Sequence, residues 1–180
     1  DAIPTPMDLV YDIHENVNLI SYVGIDGLEI SEALPDSIED ITTDIIGEGV
    51  AASKNPVLGW IGSLTHFHRD KGYWLRNNID GVDDTSMYFS WHIPDQDVLF
   101  SSGAIKSYSL PEKIEEFAYA QSSKQAFYFI NKIKLDDYSP NHNDWIVAYN
   151  NDIIVGARKW NGRYTDIPAM GYDGSQSTIG

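Results

Sequence analysis

The chain contains no cysteine, which excludes disulfides and thiolate metal sites and leaves folding to the apolar core. It is short of cations: 12 Lys plus Arg face 27 Asp plus Glu, a formal net charge of -15. Such a field repels anionic polymers and acidic membrane surfaces at long range, so nucleic acid is excluded as a partner. No apolar run approaches the ~20 residues that span a bilayer, so insertion into a membrane is not expected. Neither an initiator Met nor a signal-type apolar stretch opens the chain. From its start at Asp1-Ala2-Ile3-Pro4 and its loop-like end at Gly171 to Gly180, it reads as a processed or excised fragment.

Hydrophobic residues make up 42% and charged residues 22%, ordinary proportions for a folded globular chain. The 180 residues supply one ample core or two small domains of roughly 80 to 100 residues each. Most segments alternate or cluster apolar residues over strand lengths. Met7 to Ile13 suits a first strand, and Val17 to Val23 a second with Val17, Leu19 and Val23 as its apolar side. Ile25-Asp26-Gly27-Leu28 supplies a turn. Gly59 to Leu64 and Gly72 to Arg76 read as two strands joined by the charged stretch Arg69-Asp70-Lys71. Met87 to Ile93 is an aromatic strand ended by Pro94. Ala126 to Ile130 is nearly continuous apolar strand, and Trp145 to Tyr149 pairs with Ile153 to Ala157 as a hairpin across Asn150-Asn151-Asp152.

Two segments read as helical. Leu34, Ile38, Ile41 and Ile45 fall at helical spacing, with Asp36 and Glu39 as a capping box and Gly47 as the stop. This predicts an amphipathic helix over about 36-46. Ser109-Leu110-Pro111-Glu112 starts a shorter one through Ile114, Phe117 and Ala118. The expected architecture is mainly β, α+β at most, built from small antiparallel β-sandwich-type modules with one or two short helices. A β-rich module spans 1-93, a linker with the short helix 94-124, and a truncated sandwich-like module 125-180.

Two tryptophan-anchored blocks carry a resemblance. Asn18-Leu19-Ile20-Ser21, Gly59-Trp60, Leu64 and Lys71-Gly72-Tyr73-Trp74 resemble a module that recurs in large secreted and cell-surface proteins of marine bacteria and in marine phage tail-fibre-like proteins. Asn143 to Tyr149, Val155 to Trp160 and Pro168-Ala169-Met170-Gly171 look like a β-sandwich module that accompanies it. Together they cover most of the chain. The first departs from its pattern at Val17, where a Trp is usual. The second lacks a closing strand pair, which implies a piece of a longer protein or strands supplied from elsewhere. The resemblance implies an architectural or adhesive role outside the cell and carries over no catalytic residues.

The chemistry is weighed on spacing. His66-Phe67-His68 places two imidazoles on one face of a strand, a pair that needs a third ligand such as Asp70 or His92 to hold a metal. Asp80, Asp83 and Asp84, and the turn Asn150-Asn151-Asp152, offer oxygen ligands for calcium without the spacing of an EF-hand. No Gly-x-Ser-x-Gly elbow, phosphate loop or dinucleotide fingerprint occurs, and the neighbouring carboxylates Glu115-Glu116 and Asp136-Asp137 read as solvated surface. Five Trp, 11 Tyr and 6 Phe suffice for a core and a binding platform. Trp60, Trp74, Trp145 and Trp160 are assigned to the core, and Trp91, Tyr88 and Tyr73 to a ligand-binding surface. The expected function is a non-catalytic extracellular or virion-surface structural and adhesion module. A carbohydrate-binding module using exposed aromatics is the alternative, and a secreted hydrolase the third reading. Other protein chains or surface glycans are the expected partners, and unpaired strand edges point to oligomeric assembly.

Overall fold

The computed structural model describes residues 5–79, 87–94, 111–175 and 178. The fold is mainly β, as the composition and patterning predict: antiparallel pairs dominate, and the helices are single turns. Two compact units emerge, one of Asp1–Gly47 with Ala52–Tyr108 and one of Glu48–Ala51 with Ser109–Gly180.

Unit 1 is organised by a five-stranded sheet in the order β2(Asn16–Ser21), β8(Gly72–Asn77), β4(Thr42–Gly47), β5(Val50–Asn55), β6(Gly59–Gly62). Strand β8 shows strict alternation, with Tyr73, Leu75 and Asn77 buried and Gly72, Trp74 and Arg76 exposed, because successive side chains point to opposite faces. Register carries that parity to β2, where Asn18 meets Leu75 and Ile20 meets Tyr73. The buried side of β2 is therefore Asn18 and Ile20, and Val17 and Leu19 face out, the reverse of the apolar side expected. Asn18 is tolerated inside because its amide donates to the His14 carbonyl at 2.8 Å and accepts from the His14 amide at 3.0 Å, which satisfies its polar groups locally. Strands β6 and β8 are not partners. They lie in one sheet with β4 and β5 between them.

The expected helix over 36-46 is a single turn, α2(Asp36–Glu39), followed at once by β4. Ile41-Thr42-Thr43 and Ile45-Ile46 are β-branched and favour strand. The helical spacing has a second origin. Thr42 pairs with Asn77 and Asp44 with Arg76, a bulge that adds Thr43 to the strand and turns Thr42 and Ile45, three apart, to the same buried side. Nor does a capping box form: α2 has no side-chain cap, and Glu39 accepts instead from the Ser31 hydroxyl and the Trp60 indole N–H, each at 2.8 Å. Helix α1(Ile30–Ala33) and α2 bury Ile30, Ala33 and Ile38. Two short pairs, β1(Tyr11–Ile13) with β9(Met87–Phe89) and β3(Leu28–Glu29) with β7(His66–Phe67), accompany the sheet among the described residues. The aromatic strand expected to reach Ile93 thus stops at Phe89.

Unit 2 holds two antiparallel ribbons, β10(Gln125–Ile130) with β13(Thr165–Met170) and β11(Trp145–Asn150) with β12(Ile153–Lys159). The hairpin across Asn150-Asn151-Asp152 forms as expected, with Asn151 at φ 51° supplying the left-handed turn residue. The helix expected through Ala118 reduces to a 3-10 turn, Glu115–Phe117, and its proposed start at Ser109 and Leu110 lies outside the described residues. Gly156 lets β12 lie directly on β13: a Cβ there would sit 1.6 Å from the Pro168 carbonyl oxygen. Gly156→Ala is expected to cost about 3 kcal/mol or more through forced separation of the strands. Gly72→Ala meets only ordinary contacts, the nearest at 3.7 Å, and should leave stability nearly unchanged. Urea unfolding of both variants checks the pair; equal midpoints would contradict the close approach.

Candidate functional site

The residues assigned to a ligand platform are mostly core. Trp91 is 2% exposed, with its ring centroid 4.8 Å from those of Tyr22 and Phe67 and 5.3 Å from that of Phe89. Its indole N–H donates to the Ser21 carbonyl at 2.9 Å, so burial leaves no polar group unpaired. Tyr73 is buried beside Phe67 at 4.8 Å, and its hydroxyl accepts the His68 amide at 2.8 Å. Neither ring offers a face to a ligand, because each packs edge or face against another ring. Tyr88 alone of the three is exposed, at 67%. Desolvation pushes the Tyr22 phenol, in the same cluster, above its ordinary range, as expected for a hydroxyl held in an apolar core.

Trp74, assigned to the core, is 42% exposed and lies on the outward side of β8, the second strand of the five-stranded sheet. Cross-strand register sets Leu19 on one side of it and Ile46 on the other, an apolar row across three strands. Leu19 is itself 60% exposed. The next row holds Val17, Arg76 and Asp44, with Arg76 3.8 Å from the Asp44 carboxylate and the Ser53 hydroxyl donating to Asp44 at 2.8 Å. Strand parity hides this face from a sequence reading, since either side of β2 can be read as apolar. Trp60, Trp145 and Trp160 are half-buried. The Trp60 ring sits under the Lys54 ammonium at 5.9 Å.

The two histidines proposed for metal pair separately with acids. His66 lies 3.7 Å from Glu29 and His68 3.3 Å from Asp26. Among the described residues no three His, Cys, Asp or Glu side chains are placed to share an ion, so neither Asp70 nor His92 completes the pair. Asp80, Asp83 and Asp84 lie outside the described residues.

In unit 2 the residues of the Asn-Asp-Trp motif hold a loop. The Asp144 carboxylate accepts from the Asn141 amide and from the Tyr138 hydroxyl, whose oxygen lies 2.8 and 2.7 Å from its two oxygens. The Asp144 carbonyl also accepts the Trp160 amide at 2.8 Å. The Asn141 amide first, then the Tyr138 hydroxyl, hold the Asp144 carboxyl below its ordinary value. Buried Arg158 donates to the Asp166 carbonyl at 2.9 Å, to its carboxylate at 3.1 Å and to the Gly49 carbonyl at 2.7 Å.

Compared with known proteins, the chain matches no family model, no curated protein and no solved structure.

Two predictions follow the geometry. Trp91→Ala should lose about 3 to 5 kcal/mol, whereas Tyr88→Ala stays within about 0.5 kcal/mol of the parent, in guanidinium unfolding; a silent Trp91→Ala would refute the core assignment. Because the Asp144 pKa is depressed in the folded state, its contribution is full above the unfolded carboxylate value of 3.8 and is lost as pH falls below it. The melting-temperature margin of the parent over Asp144→Asn should be constant from neutral pH to about 5 and shrink steadily below 3.8. A margin independent of pH would remove the ionised clamp from the account.

Proposed function

We propose that the chain is a non-catalytic structural and adhesion module of an extracellular or virion surface, and that it attaches through the exposed side of strands β2 and β8 of its five-stranded sheet. The observation that carries this reading is the apolar row of Leu19, Trp74 and Ile46 on adjacent strands. Exposed apolar side chains in a contiguous patch mark contact surfaces, and Trp is among the residues that dominate binding energy. A hydrogen-bonded sheet presents them with little conformational entropy left to lose. Val57 and Leu58 add a second exposed apolar feature, at a turn whose amides both donate to the Asn55 side chain. The likeness of the Asn18 to Ser21 and Lys71 to Trp74 blocks to modules of secreted marine proteins supports the same role.

A carbohydrate ligand is the second reading, favoured by one arrangement: the exposed Trp74 indole beside the hydrogen-bonding groups of Arg76, Asp44 and Ser53. A flat aromatic surface bordered by directional polar groups suits a sugar ring, which is apolar on its faces and polar around its rim. Calcium bound by the acidic stretch of Asp80, Asp83 and Asp84 would be an accessory to either reading.

A glycan array probed with the 180-residue chain, with and without calcium, separates the readings. Saturable glycan binding that falls roughly 30-fold in Trp74→Ala, at an unchanged melting temperature, assigns the face to carbohydrate. A blank array together with cell or protein adhesion lost in Trp74→Ala and Leu19→Lys assigns it to a protein surface. Binding that survives both substitutions rejects this face as the attachment site.

A further inference from the structure

The described residues of unit 2 leave a cavity between them. The segment around the 3-10 turn meets strands β11 and β12 with a half-open space of about 230 Å³ between them. Three aromatic residues, Phe117, Tyr119 and Trp145, line it together with the aliphatic side chains of Ile114, Ala118 and Ala157. Protein interiors leave few voids larger than one water. A water occupies roughly 30 Å³ of liquid and needs two to four polar partners, which the six apolar and aromatic residues of the wall do not offer in number; polar groups come from Glu112, Lys113 and Glu115. The space is therefore shaped for an apolar or weakly hydrated occupant.

The aromatics narrow its chemistry. Phe117 and Trp145 stand with ring centroids 5.6 Å apart and planes inclined at 55°, a corner that surrounds an occupant on two sides, with Tyr119 as a further wall. Ring faces carry negative electrostatic potential and attract cations, most strongly when the cation sheds water easily. A methylated ammonium group does so, and its methyl surface also gains from the aliphatic wall. The charged residues that line the space are Glu112, Lys113 and Glu115. Lys159 takes up Glu112 at 2.7 Å, and Glu115 offsets Lys113, so the preference for a cation comes from the rings. The chain's net charge of -15 raises the local concentration of any cation. A pyranose is disfavoured here, because its hydroxyls would lose water against carbon on most sides.

We propose that this cavity is a binding site for a quaternary ammonium group, held between Phe117 and Trp145 with Glu115 at its entrance. The site is independent of the sheet face of unit 1.

The test is calorimetric titration of the full chain with choline and with 3,3-dimethylbutan-1-ol, which has the same shape without the charge. Choline should bind at least about fivefold more tightly than the alcohol. Phe117→Leu should abolish the preference while keeping the fold, and Glu115→Gln, a surface change, should weaken choline about threefold without altering the melting temperature. Because Trp145→Leu can disturb β11, it is judged by circular dichroism before its binding is read. Sedimentation with phosphatidylcholine vesicles distinguishes sources: co-sedimentation that choline competes away assigns a lipid headgroup, and its absence alongside choline binding assigns a soluble cation. Equal affinity for choline and the neutral alcohol, or no heat from either at millimolar concentration, overturns the proposal.

Discussion

The packing of Trp91 is the constraint on which unit 1 depends. Its ring touches Tyr11, Tyr22, Phe67 and Phe89, residues drawn from β1, the end of β2, β7 and β9 or their margins, so one side chain joins segments up to eighty residues apart in sequence. Its indole N–H closes on the Ser21 carbonyl, which fixes the ring's orientation as well as its burial. Tilted and edge-on aromatic pairs add to the gain from apolar area alone. Without this cluster the two short ribbons, β1 with β9 and β3 with β7, would have too few ladder bonds to persist, since isolated two-stranded pairs are marginal in water.

Unit 2 solves the same problem with backbone proximity and one buried charge pair. Gly156 allows β12 to rest on the Pro168 carbonyl, and Arg158 turns inward to Asp166 and to the carbonyl of Gly49. Burying a guanidinium is costly. Here its donors are spent on a carboxylate and two carbonyls, so the arrangement specifies which backbone groups meet. The contrast between the units bears on function. Where unit 1 fills its interior with rings and leaves Trp74 outside, unit 2 leaves Phe117 and Trp145 around a space.

Several residues that mark the sequence blocks proved to be structural. Asn18 satisfies the His14 turn, Asp144 gathers Asn141 and Tyr138, and Trp60 holds the end of α2 through Glu39. Motif-like recurrence of polar and aromatic residues can therefore report turn chemistry with no ligand involved. Strand periodicity placed His66 and His68 on one face, but β7 ends at Phe67, and the acidic partners, Glu29 and Asp26, come from about forty residues upstream and take the histidines one at a time.

Local pattern determined a good deal by itself: strand-rich composition, the turns at Gly27 and Asn151, the hairpin of β11 and β12, and the absence of thiol chemistry. These depend on neighbouring residues and on backbone preferences that each residue carries with it. Which face of a strand is inside was decided elsewhere. Period-two alternation is symmetric, so β2 and β8 took their parity from the register with each other and from the bulge in β4. That choice buried Tyr73 and exposed Trp74 and Leu19. The cavity beside Trp145 likewise exists only because the 3-10 segment and the β11–β12 ribbon, separated in sequence, meet in space. Burial is a property of the assembled sheet, and no single strand contains the information that sets it.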